Sequence, residues 1–118
     1  MDRYVVLFPA DSEREWEAGT EADRQAVFDT DFEFGQLLEA RGGAVTGGAG
    51  LTRSTRTRVV RRGPGATSLV TEGPYAESAE QLSGFFIVTC DDYDALVEAA
   101  RVLTRVHPVV EIRPIQEF

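Results

Sequence analysis

Glu72, Tyr75, His107, Glu111 and Arg113 are the residues whose types and spacing suit chemistry. Glu72 and Tyr75 flank a Gly73-Pro74 pair in the stretch TEGPYAES. Pro74 has no N–H and a fixed φ, and it pushes Gly73 toward extended geometry, so the preceding strand must end there. An acid and a phenol at such a turn would serve as a general base and an orienting donor or acid. The bland alternative is that Glu72 caps exposed N–H groups and Tyr75 covers the core edge. Glu111 and Arg113 are two apart in a strand-like tail and therefore share a face. If that face lies opposite the helices, the couple sits in a dimer cavity. Desolvation there can exceed the Coulomb gain, so a buried pair would point to binding of an anion or carboxylate. On a solvated face the pair carries no such meaning. His107 precedes Pro108 at a helix end, where the dipole favours imidazolium by about 0.3–1 kcal/mol. Proton handling is its other reading.

The same sequence removes several chemistries. Cys90 is the only cysteine and ends an apolar strand, so it is expected as a small buried hydrophobe, with no intrachain disulfide and no cysteine zinc site. With one histidine, a multi-histidine metal site within one chain is excluded; no metal and no cofactor are expected. The chain has no lysine, which removes Schiff-base chemistry and the P-loop lysine. GGAVTGGAG lacks the G-K-[ST] of a nucleotide loop, and no helix is expected to open after its last glycine.

Net charge is −8, which disfavours nucleic acid. Residues 52–62 hold five arginines and no acid, leaving −13 on the remainder. That run has no interleaved aromatics for base stacking, and alternating Thr and Arg also suits an exposed edge strand. No apolar run approaches the ~20 residues of a membrane span. MDRYVVLFPADSERE lacks the basic region, longer apolar run and cleavage site of a signal peptide, so a cytoplasmic protein is expected. The arginine-only, Ala/Gly/Val-rich composition suggests a GC-rich bacterial genome.

At 118 residues, 42% hydrophobic and 27% charged, the chain suits one globular domain over residues 1–118. Residues 3–8 form a strand with Tyr4, Val6 and Phe8 on one face and Val5 and Leu7 on the other. ADSEREWEAG is a loop or loose helical turn. Thr20 opens a helix with an acid three residues later, Val27, Phe34, Leu37 and Leu38 recur at helical spacing with Phe28 and Phe32 widening the stripe, and Arg41-Gly42-Gly43 closes it. GGAVTGGAGL is a bent strand. Residues 56–62 and 66–71 form a hairpin across Gly63-Pro64-Gly65, and Ser78 with Gln81 would cap a brief turn. LSGFFIVTC is a strand apolar on both faces, Asp91 caps a second helix, and VVEIRPIQEF is the last strand. The order is βαββαβ with an inserted hairpin: a ferredoxin-like α+β fold with two helices on one sheet face. Apolar side chains on the opposite face call for a cover, and a homodimer joined sheet to sheet supplies it.

TEGPYAESAEQLSGFF and HPVVEIRPIQEF together resemble the YCII-related (DGPF-type) family. Its hallmark is an Asp-Gly-Pro-Phe turn followed by A-E-(S/T)-x-E-Q-L-x-G-F, and a tail (V/I)-E-(V/I)-R-P-(I/V)-x-E-F. Gly73, Pro74, Ala76, Glu77, Glu80, Gln81, Leu82, Gly84 and Phe85 match the first motif; Glu111, Arg113, Pro114, Glu117 and Phe118 match the second. Glu72 and Tyr75 stand where the hallmark has Asp and Phe. The resemblance implies a dimeric α/β barrel but no settled activity, and a link to extracytoplasmic-function sigma factors. Distant relatives include a dehydrochlorinase with a His–Asp pair, its histidine on the first helix. Residues 20–41 contain no histidine, so that mechanism does not transfer directly. Two functions remain. One is a small-molecule-binding protein, a cofactor-free enzyme with Glu72 or His107 on the proton, Tyr75 beside it and Arg113 on an anionic group. The other is a non-catalytic regulatory partner in a sigma-factor pathway.

Overall fold

A computed structural model describes residues 2–72 and 82–117. The elements are β1 (Asp2–Leu7), α1 (Glu13–Ala18), α2 (Glu21–Glu39), β2 (Ala44–Gly50), β3 (Arg58–Arg62), β4 (Ser68–Glu72), β5 (Gly84–Cys90), α3 (Tyr93–Ala100) and β6 (Glu111–Pro114). Short 3₁₀ turns occupy Ser54–Arg56 and Arg101–Arg105. The main sheet runs β2-β5-β1-β6 with every neighbour antiparallel, an α+β order compatible with the ferredoxin-like arrangement. β3 and β4 pair only with each other. Among the described residues, no helix is long and apolar enough to cross a membrane.

Alternation in β1 and β5 sorts the side chains onto two faces. Tyr4, Val6 and Phe8 are buried with Val88 and Cys90 beneath α2 and α3, where Phe34, Leu38, Leu96 and Leu103 complete the core. Cys90 is fully buried and donates its thiol to the Asp92 carbonyl at 3.2 Å, as a small core residue should. Val5, Leu7, Phe85 and Ile87 point to the other face, paired Val5 to Ile87 and Leu7 to Phe85.

α2 begins with a complete capping box. Thr20 accepts from the Asp23 N–H at 3.1 Å, and Asp23 accepts from the Thr20 N–H at 2.9 Å. The helix ends where Gly42, at φ +85°, turns the chain so that the Gly43 N–H reaches the Leu38 carbonyl. Its buried stripe is narrower than the sequence suggests: Thr30, Phe34 and Leu38 are covered, whereas Phe28 and Phe32 are exposed. α1, read from the sequence as a loop or loose turn, is a helix whose first turn Ser12 caps through the Glu15 N–H. At α3 the cap is Asp92, one residue beyond the expected Asp91. The expected turn at Ser78 and Gln81 lies outside the described residues.

Candidate functional site

Three elements far apart in the chain converge on one imidazole. His107 follows the 3₁₀ turn after α3, and its N–H bonds the Leu103 carbonyl at 2.9 Å. The ring is 4% exposed and lies flat on Phe8, with centroids 3.8 Å apart and planes 13° from parallel. Its Nδ1 is 2.8 Å from Asp11 Oδ2, in the loop after β1. Its Nε2 is 3.0 Å from Asp31 Oδ1, on α2. Asp11 Oδ2 also accepts from the Ser83 hydroxyl at 2.7 Å, just before β5. The other Asp11 oxygen, Oδ1, is buried with no hydrogen-bond partner among the described residues.

This geometry fixes the charge state. A neutral imidazole has one N–H and one lone pair, and a lone pair facing a carboxylate is repulsive. With a carboxylate at each nitrogen, only imidazolium donates both bonds. Burial opposes the charge, but the hydrogen bonds to Asp31 and Asp11 and their negative charges outweigh it, so the His107 pKa rises above its ordinary 6.5.

His107, Asp11 and Asp31 line a solvent-open cavity of about 1320 Å³. Phe8 and Phe86 form its apolar floor, and Trp16 of α1 and Phe28 of α2 form one wall, edge to face at 5.8 Å. The backbone of β2 at Gly47, Gly48 and Gly50 also lines it. Gly48 is at φ +144°, and a Cβ there would collide with the Phe85 carbonyl. The glycine-rich stretch that lacks the nucleotide-loop signature is a strand along the cavity.

Among the expected site residues, His107 is at this cavity. Glu72 is exposed at the end of β4, 3.5 Å from Arg58 across the hairpin, and does not line the cavity. Tyr75 lies outside the described residues. Glu111 and Arg113 are exposed on β6, cross-strand from Leu7 and Val5. They therefore occupy the sheet face away from the helices, with the sheet between them and His107. No ion pair joins them among the described residues.

Asp11, Asp31 and Ser83 were missed from the sequence. One signal for Asp31 was present: Val27, Asp31, Phe34 and Leu38 fall at i, i+4, i+7 and i+11, so an acid interrupts the apolar stripe of α2. Asp11 and Ser83 carry no comparable sign, standing in polar connections.

Over 70 residues the chain is 36% identical to an uncharacterised protein of Rhizobium meliloti (strain 1021), a match covering 57% of this chain and 56% of that protein. The matched segment thus spans little more than half the relative's length. The YCII-related domain family matches residues 3–118, nearly the whole chain, including the tail that carries Glu111, Arg113 and Pro114. The chain belongs to the YCII-related domain family.

Proposed function

We propose that this protein is a cofactor-free acid–base catalyst acting on a small molecule, with Asp31, His107 and Asp11 as its proton-handling unit. The observation that carries this is a nearly inaccessible imidazole held between two carboxylates at the floor of an open cavity. Both ring nitrogens are occupied, so the group that meets the substrate is a carboxylate. Asp31 is the better placed, because Asp11 Oδ2 is held by both His107 and Ser83 and its Oδ1 is buried, whereas only Oδ1 of Asp31 is held by the ring. A proton leaves a carbon or hydroxyl of the substrate for Asp31 Oδ2, the oxygen that the ring does not hold. The imidazolium supplies positive charge beside the anion that forms, and Asp31 returns the same proton to another atom of the substrate, which is the logic of an isomerisation. Asp11, itself held by Ser83, keeps the ring in register. Proton handling is thereby assigned to His107 and Asp31 rather than to Glu72, whose carboxylate pairs with Arg58 on the hairpin. The histidine that the resemblance would put on the first helix comes from beyond α3, and α2 contributes the carboxylate.

The reading extends to a homodimer joined across the face of Val5, Leu7, Phe85 and Ile87. Glu111 and Arg113 lie cross-strand from that apolar row and would flank the seam.

Deuterium exchange tests the catalytic claim. Small ketones and hydroxyaromatics are incubated with protein in heavy water, and incorporation at carbon is followed by NMR. Wild type should exchange at least one of them roughly 100-fold faster than Asp31→Asn, the scale of a lost general base. Equal rates in the two proteins across the panel would contradict it.

A further inference from the structure

We propose that the cavity over His107 takes a non-anionic small molecule that donates hydrogen bonds, an amine or hydroxyl compound with an apolar, ring-sized body, and turns away carboxylates and phosphates. The inference rests on the acid–base reading of the same three residues and adds the class of compound they receive.

Both ring N–H groups of His107 are spent on carboxylates, and the Ser83 hydroxyl is spent on Asp11. What remains unsatisfied among the described residues are acceptors, Asp31 Oδ2 and the buried Asp11 Oδ1. An incoming O–H or N–H finds its acceptor in the Asp31 carboxylate, which lines the cavity with its side chain 23% exposed. A carboxylate or phosphate needs donors, and neither the His107 ring nor the Ser83 hydroxyl has one left for it.

Charge points the same way. Two carboxylates around one imidazolium leave a net negative floor, which repels an anion in a partly desolvated site. The nearby arginines do not reverse this. Arg53 is paired with Glu17 at 2.8 Å, and Arg24 donates to the carbonyls of Trp16 and Glu17 at 3.1 and 3.2 Å. Arg56 also lines the cavity, but the acids of the lining, Asp11, Glu13, Glu15, Glu17, Asp23 and Asp31, outnumber its three arginines and the imidazolium.

The walls define the body of the ligand. Trp16 and Phe28 are 42% and 56% exposed, large aromatic surface turned to the cavity rather than to the core. A flat apolar group covers them, and a protonated amine gains further from an aromatic face.

Trp16 is the only tryptophan, so its fluorescence reports on the cavity directly. Benzylamine, benzyl alcohol and benzoate share one ring and differ in head group. Near neutral pH, the amine or the alcohol should give a saturable change with affinity at least roughly tenfold above that of benzoate. Asp11→Asn, which offers an amide donor in place of a carboxylate oxygen, should shrink that gap. Benzoate binding as tightly as the other two, or no saturable change with any of the three, overturns the inference. The His107 resonances are read on the same samples, which separates the two claims. A raised titration with benzoate preferred removes only the ligand class, whereas an unshifted titration removes the acid–base reading beneath it.

Discussion

His107 is held by charges that the chain brings from two other elements, and its stability contribution follows from their sign. The groups facing the ring are the Asp11 carboxylate from the loop after β1, the Asp31 carboxylate from α2, and the uncharged Phe8 ring. The folded pKa lies above the ordinary 6.5, so the imidazolium stabilises the fold fully below that value. The contribution is lost as pH rises through the folded pKa. Wild type should therefore lose stability over that interval relative to an Asp11→Asn, Asp31→Asn double variant, measured as urea midpoints across pH. Parallel profiles would contradict the arrangement. His107 was legible in the sequence because it is the single histidine. Its partners were not, since they lie 96 and 76 positions away and look like ordinary surface acids in a chain with 20 of them. Asp31 differs from Asp29 and Glu33 in breaking the apolar stripe of α2, but only the closing of the fold brings His107 to it.

At the scale of elements, α2 carries the site because its start and its register are both fixed. The capping box at Thr20 and Asp23 sets where the helix begins, and Phe34 and Leu38 lock its inner face, which aims Asp31 at His107. Thr20→Ala should cost about 0.5–2 kcal/mol in urea unfolding. A cost near zero would mean that packing alone sets the helix start. These elements were readable because capping and alternation are local. β1 and β5 showed apolar residues on both faces, and the Gly63-Pro64-Gly65 turn separated β3 from β4. What local pattern could not supply was the width of the buried stripe on α2. Phe28 reads as core by spacing, yet it stands with Trp16 at the cavity wall. The Glu72 and Tyr75 pair illustrates the same limit, because a turn motif names residues without saying what they approach.

The whole molecule is broad and thin, 50 × 43 × 18 Å, with a radius of gyration of 16.5 Å. A compact chain of this length is nearer about 13.5 Å. The β3–β4 pair accounts for part of the difference, with Val60, Leu69 and Val70 exposed along it. The layering is one-sided: helices cover one sheet face, and Val5, Leu7, Phe85 and Ile87 line the other. On the proposed dimer, Ile87→Asp would set a charge in the seam and leave the helix-side core untouched. Wild type should sediment as a dimer at micromolar concentration and Ile87→Asp as a monomer. A monomeric wild type would remove the dimer while leaving the His107 site standing, since every group in that site comes from one chain.

The central claim is that one imidazole is held charged between two carboxylates. Because the chain has a single histidine, its ring nitrogen and carbon-bound proton resonances are unambiguous in an NMR pH titration. The account predicts a midpoint above 6.5 that falls in Asp31→Asn, with both ring nitrogens protonated below it. A midpoint at or below 6.5, or one unmoved by that substitution, would contradict it.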